Sequence, residues 1–273
     1  MSSETFQYVP WYTSLLEKIG FTLSKEHVIL DLGCGQGECV RQFREIGYNI
    51  FGCDIEFPET PQNYLKFYLK NDVIRKIEYD QDPRDKMEEY CKSGKLLVTN
   101  ETTYHLPFEN NTFDVIVSGQ VFEHVMDYPA VLAELKRITK PTGINVHVFP
   151  GRWMIREPHT YVPFSSVLRT YGWIYFWAFL GVRNEFQQGL SASETAKRNY
   201  WYLHRRTNYL TRENIYKQVT KFFEECRFAE EAYFYVSPRV GKLFGRFPFL
   251  LTQYRGWFSD TQMRVLVFEK KSC

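Results

Sequence analysis

The chain has 273 residues, enough to bury a sizeable core in one large domain. Its 34 basic and 32 acidic residues leave a net charge of +2 with no long basic block, which argues against a nucleic-acid partner. An apolar run at 171–182 spans twelve residues where about 20 are needed to cross a bilayer, and the first residues lack the basic and apolar regions of a secretory signal.

In chain order, residues 10–20 have the spacing of a short amphipathic helix. Val28-Ile-Leu-Asp31-Leu reads as a strand buried on both faces, and a turn carrying Gly33, Gly35 and Gly37 follows it. Helical spacing from Glu38 to Ile46 makes that turn open a helix whose free N–H groups face the same crevice. A second strand, 49–54, ends in Asp54 about 20 residues beyond the turn, where a carboxylate can accept from two ribose hydroxyls. Ligands of the nucleotide kind bind outside the carboxyl ends of such strands. The spacing here is G-x-G-x-G, without the G-x-G-x-x-G pattern that meets a pyrophosphate, so an adenosine ligand lacking a pyrophosphate fits both features.

Thr60-Pro61 opens a further helix, 80–95 reads as a solvated charged helix, and 96–100 is the expected third strand. Residues 113–118 form the fourth strand after an Asn-Asn turn. Helix 128–139 then leads through Pro-Thr-Gly to a fifth strand at 144–148. Prolines 150, 158 and 163 break the start of the stretch 150–204. Thr211 is the expected N-cap of a helix running to Phe223, and 229–236 and 263–269 are expected to be the last two strands.

Asp31-Leu-Gly-Cys-Gly-Gln-Gly, Asp54, the block 106–125 with its Glu123-His124 pair, and Glu134-Leu-Lys-Arg-Ile followed by Lys140-Pro-Thr-Gly stand in one order along the chain. In these motifs the chain resembles the class I S-adenosylmethionine-dependent methyltransferases, in the small-molecule branch that includes quinone, sterol and sugar methylases. The resemblance covers 25–150 well and 205–270 loosely. It implies an α/β fold: a mostly parallel seven-stranded sheet with helices on both faces, in a single domain. Residues 151–204 interrupt the family pattern and are expected to form a helical, aromatic-rich cap on the substrate side. Short segments (Phe149-Pro-Gly-Arg, Glu157-Pro-His, and 181–185) also resemble bacterial methylases associated with surface-glycan synthesis.

The resemblance implies S-adenosyl-L-methionine as cofactor. Asp31, Gly33, Cys34 and Gly35 would form its loop, the glycines letting backbone approach the methionine part. Asp54 would hold the ribose and Ile55 would lie against the adenine. Glu101 or Thr102 would meet the adenine edge, and Ser118 to Gln120 would line the cleft near the reacting sulfur. A hydroxyl acceptor benefits from a base, worth about 10²–10⁴ in rate. Among the six histidines, His124 and His159 are the candidates for that role, while His27 and His147 read as structural. No metal-ligand spacing is evident, and Glu123-His124 is too short a signal to invoke one. The six cysteines fit no zinc pattern, and reduced thiols in a cytoplasmic protein are expected.

The partner implied is a small-molecule acceptor: a sugar or glycan intermediate first, a quinone or phenolic lipid second. The aromatic run 171–182 is either a helix packed on the core or a wall for an apolar or lipid-linked acceptor. Arg169 and Arg183 flank it, which would also suit peripheral contact with an anionic membrane. Two other readings stand beside the enzyme: a non-catalytic cofactor-binding subunit, and an NAD-dependent oxidoreductase, which the glycine spacing disfavours.

Overall fold

A computed structural model describes residues 6–79, 84–93, 104–236, 254, 257–258 and 260–270. After helix α1 (Tyr8–Lys18) come β1 (Val28–Leu32), α2 (Glu38–Glu45), β2 (Asn49–Asp54), α3 (Asn63–Lys70), β3 (Ile74–Lys76) and α4 (Arg84–Ser93). Then follow β4 (Phe113–Gly119), α5 (Tyr128–Ile138), β5 (Thr139–Pro150), α6 (Tyr171–Phe179), α7 (Ala192–Arg205), α8 (Arg212–Val219), β6 (Glu225–Phe228), α9 (Glu230–Val236) and β7 (Met263–Glu269). The sheet has seven strands in the order β3-β2-β1-β4-β5-β7-β6. The first five run parallel, and β7 lies antiparallel between β5 and β6.

Alternation along these strands divides the core in two. Ile29, Val115, Val117, Ile144, Val146, Val265 and Val267 face α1, α2, α3 and α9. Leu30, Leu32, Ile116, Leu266 and Phe268 face α5 and α8 on the other side. Helices therefore cover both faces, as burial of both sides of a parallel sheet requires. The chain order reverses beside β1, whose neighbours are β2 and β4, and this opens a crevice at their carboxyl ends.

One expectation falls outside the described residues and another needs correction. The strand beside β2 is Ile74–Lys76, whereas the expected third strand at 96–100 lies outside the described residues. Residues 230–236 are a helix, and the antiparallel partner of β7 is the preceding segment 225–228. Ala229, Ala232, Tyr233 and Val236 recur at helical spacing and pack on the α1 side of the sheet, so period 3.6 wins over the alternation of the same residues.

Within 151–204, α6 and α7 pack on each other through Ile174, Ala178, Ala196 and Leu203. Ser191 and Glu194 form a reciprocal capping box that starts α7. Helix α4 docks on α7: Tyr90 stacks on Tyr200 at 6.1 Å, and Lys197 Nζ donates to Cys91 O at 2.9 Å. Only Ile174 and Ala178 of α6 are buried, and Tyr171, Tyr175, Phe176 and Phe179 remain exposed. The flanking arginines turn inward. Arg169 donates to Leu203 O and Thr207 O at 2.7 and 3.1 Å, and Arg183 donates to Ala178 O at 2.6 Å. Both guanidinium groups thus serve as caps for backbone carbonyls. No helix among the described residues is long and apolar enough to cross a membrane.

Candidate active site

Gly33 and Gly35 both adopt positive φ, at 72° and 52°, which lets β1 turn sharply into α2. A side chain at Gly33 would collide with Val121 Cγ2, whereas a Cβ on Gly35 would meet nothing within 4 Å. The first glycine is therefore needed for packing, and the second borders open space.

That space is one of two cavities meeting at Gly33. One, of about 840 Å³, is walled by Asp31, Cys34, Gly35 and Gly119 together with Tyr8 and Tyr12 of α1. The other, of about 510 Å³, is walled by Asp54, Ile55, Ile77, Tyr104, Gln120, Val121 and His124, with Trp201 and Tyr202 of α7 and Arg206 just beyond it. Arg206 Nη2 approaches Glu56 Oε1 at 3.6 Å, linking the end of α7 to the end of β2.

Asp54 is tied to the loop. Its Oδ2 accepts from Gly35 N–H at 2.7 Å, and its Oδ1 accepts from Ile55 N–H at 2.7 Å and Glu56 N–H at 3.4 Å. Burial outweighs these donors and raises the carboxyl above its usual range. Asp31 is buried more deeply. Burial pushes it up to about 7, although the Cys39 thiol donates to it and opposes the shift.

The histidine pair lies at the end of β4 and in the loop after β5. The ring centroids of His124 and His159 are 4.7 Å apart, edge to face. His124 Nδ1 is 2.7 Å from Arg206 O, so that nitrogen carries the proton and Nε2 keeps a lone pair. Burial lowers His124 to about 4, with the neighbouring His159 adding to the effect, so the ring is neutral near pH 7. His159 Nδ1 lies 2.8 Å from Glu157 Oε1. Glu157 is fully buried and also accepts from Thr160 N–H, Thr160 Oγ1 and the Tyr209 hydroxyl, at 2.6, 2.8 and 2.7 Å. Burial would raise its pKa, but these donors and His159 hold it below the usual range. Glu123, also buried, differs sharply. Neither carboxylate oxygen makes a well-formed hydrogen bond among the described residues, and burial pushes it up to about 8, opposed only by its own backbone N–H and helped by Glu157.

Several sequence expectations fall elsewhere. Ser118 is fully buried and bonds His147 Nδ1 at 2.8 Å, so it lines neither cavity; Gly119 and Gln120 do. Burial pushes His147 down to about 3, and its ring stacks on Phe268 as a sheet residue. Glu101 and Thr102 lie outside the described residues, and the wall beside Ile55 is formed by Ile77 and Tyr104. Tyr161 and Arg156 engage each other, with the guanidinium 4.0 Å over the ring. Cys34, Cys39, Cys53, Cys91 and Cys226 are all free thiols. The contributions of Tyr8, Tyr12, Trp201, Tyr202 and Arg206 had no motif to announce them. Only the general placement of 151–204 hinted at Trp201 and Tyr202.

A family model described as a methyltransferase domain matches residues 7–222. Among curated proteins, an uncharacterized methyltransferase of Schizosaccharomyces pombe is 32% identical over 130 residues, covering 44% of this chain and 39% of that protein. A demethylmenaquinone methyltransferase of Lactococcus lactis is 28% identical over 138 residues, covering 50% and 46%. The chain thus spans less than half the length of these relatives. Among solved structures, a phosphoethanolamine N-methyltransferase 2 of Haemonchus contortus in complex with S-adenosyl-L-methionine aligns over 94% of this chain and 51% of that one, at 15% identity and a TM-score of 0.48.

Proposed function

The chain belongs to the methyltransferase-domain family, the class I S-adenosylmethionine-dependent enzymes, and on that premise we propose that it methylates a hydroxyl oxygen of a small molecule. The observation that carries the cofactor half is the pair of cavities joined at Gly33, with Asp54 in one and Asp31 in the other. Among the described residues, Oδ2 of Asp54 accepts only from Gly35 N–H and keeps a lone pair. Oδ1 holds Glu56 N–H only at 3.4 Å, a bond a ribose hydroxyl could replace, so the carboxylate suits the two hydroxyls of a ribose. Ile55, Ile77 and Tyr104 suit an adenine ring, and the open side of Gly35 suits backbone contact with the methionyl part. Asp31 then faces the methionyl ammonium. When bound, S-adenosylmethionine supplies an electrophilic methyl, whose C–S bond breaks as the new O–C bond forms.

The acceptor half rests on the cavity beside His124. Its wall mixes Val121, Val125, Met126, Trp201 and Tyr202 with the polar groups of His124, Asp127 and Arg206. That mixture supports an acceptor with one apolar or aromatic face and one hydroxyl edge, a phenolic or glycosylated small molecule. His124 and His159 are positioned to receive the hydroxyl proton. Residues 151–204 act as the substrate-side cap, with Trp201 and Tyr202 in contact with the acceptor. In-line transfer needs alignment and dryness more than covalent help from the protein, and the cap supplies both.

The test is a screen for transfer of labelled methyl from S-adenosylmethionine into phenolic, quinol and glycan pools. Incorporation that is alkali-stable and lost in Asp54→Ala supports the reading. Cofactor binding without transfer to any pool would favour the non-catalytic alternative.

A further inference from the structure

Glu123, His124 and His159 offer one ligand atom each, and these atoms all lie within 4.8 Å of one another. We propose that these three residues form a site for a single divalent transition-metal ion, seated between the cofactor cavity and the pocket beneath the 157–160 loop.

Three independent features converge on this site. The first is the donor set, two imidazoles and one carboxylate, which selects manganese, iron, cobalt or zinc over magnesium or calcium. The second is the orientation of the rings. His159 directs Nδ1 at the buried carboxylate of Glu157 at 2.8 Å, and His124 directs Nδ1 at the Arg206 carbonyl at 2.7 Å. A carboxylate and a backbone carbonyl are the partners that fix the tautomer of a metal-bound histidine and leave Nε2 as the ligand. The third feature is Glu123. Its side chain is 0% exposed, its Oε1 is 3.9 Å from His124 Nε2, and neither oxygen makes a well-formed hydrogen bond among the described residues. A buried carboxyl group whose oxygens lack such bonds is costly, and a cation between Glu123 and the two rings would satisfy it.

Ligand bonds of about 2.0–2.2 Å put neighbouring donors roughly 3–3.5 Å apart, so closure asks for shifts of about 1 Å. The two histidines are both partly accessible and can rotate to make them. The location also leaves coordination positions open. His124 lines the 510 Å³ cavity, His159 lines an adjacent pocket of about 290 Å³, and Tyr202 lines both. Resting on the hydroxyl-acceptor reading, the ion would take up both Nε2 lone pairs, so the two rings would serve as ligands in place of proton acceptors. An acceptor hydroxyl on the ion would release its proton to solvent water as the O–C bond forms and the C–S bond breaks. Ion binding itself does not depend on that reading.

The experiment uses the full chain, stripped with a chelator and titrated with Co²⁺ while its visible d–d absorption is followed. Calorimetry with Zn²⁺ and Mg²⁺ runs alongside. One equivalent of Co²⁺ is expected to bind with histidine-ligated d–d bands, and Mg²⁺ at least about 100-fold more weakly. His159→Ala and Glu123→Gln should each weaken Co²⁺ at least about tenfold, whereas His105→Ala on the surface should not. Should Glu123→Gln disturb folding, His159→Ala carries the test, because its ring lies outside the core clusters. S-adenosylhomocysteine affinity, measured on the same samples, separates a failed metal site from a failed cofactor assignment. The proposal is overturned if no equivalent binds below millimolar concentration, or if binding persists unchanged in both His159→Ala and His124→Ala.

Discussion

Gly35 N–H donates to Asp54 Oδ2 at 2.7 Å, so the glycine loop after β1 and the acid at the end of β2 form one unit. Asp54→Ala removes that anchor together with both proposed ribose acceptors. Hydrogen bonds to a charged group contribute about 1.5–3 kcal/mol each. S-adenosylhomocysteine affinity should therefore fall at least about 100-fold, measured by calorimetry, with Asp54→Asn intermediate. Equal affinity for wild type and Asp54→Ala would remove Asp54 from the ligand.

Asp31 carries a pH dependence of known sign. Its carboxyl is raised from 3.8 to about 7 by burial, so the native state keeps a proton that the unfolded chain has lost. Stability of the ligand-free protein should decline as pH rises from about 4 to 7 and then level off. Opposite the methionyl ammonium the charged form is favoured, so S-adenosylhomocysteine should bind more tightly as pH rises through 7. Both trends should flatten in Asp31→Asn. Affinity that falls over this interval in the wild type would contradict the assignment.

Most of what positions this site was legible in the residues. The run 28–37, the strand ending in Asp54 and the block 113–148 each carry a strong period and a turn signal and fold as read, except that the Pro-Thr-Gly segment lies within β5, which begins at Thr139. Short or ambiguous segments were not legible. Ile74–Lys76 is only three residues long and mostly charged, so it had no pattern to reveal it as the strand beside β2. Ala229–Val236 satisfies both periods, and only its packing on α1 decides for helix. Ser118 has the character of a cleft residue at a strand end, yet alternation turns it into the sheet toward His147. The meeting of Glu123 with His159 depends on a loop whose shape comes from five donors on Glu157, which no local spacing announces.

The histidine pair predicts a kinetic signature. Replacing whichever ring serves the acceptor hydroxyl by Ala should lower kcat about 10²–10⁴-fold with little change in cofactor affinity. Single-turnover assays on His124→Ala and His159→Ala resolve this. Near-full activity in both would leave catalysis to alignment alone.

Arg169 makes a separate prediction about the segment 151–204. Its guanidinium satisfies Leu203 O and Thr207 O at the end of α7, and burial lowers its pKa. Arg169→Ala should cost about 1–3 kcal/mol, read as a melting-temperature loss of several degrees. Replacing exposed Phe179 with Ser should leave the melting temperature nearly unchanged, since that ring is 70% exposed. Equal effects from both would mean that the exposed face of α6 is packed in solution.

The central claim is that the two joined cavities hold an S-adenosyl ligand, and calorimetric titration with S-adenosylhomocysteine tests it most directly. Wild type should bind one equivalent, NAD should not compete, and Gly35→Arg should abolish binding by filling the space beside the loop. Absence of binding to the wild type, or unchanged binding in Gly35→Arg, would contradict the account.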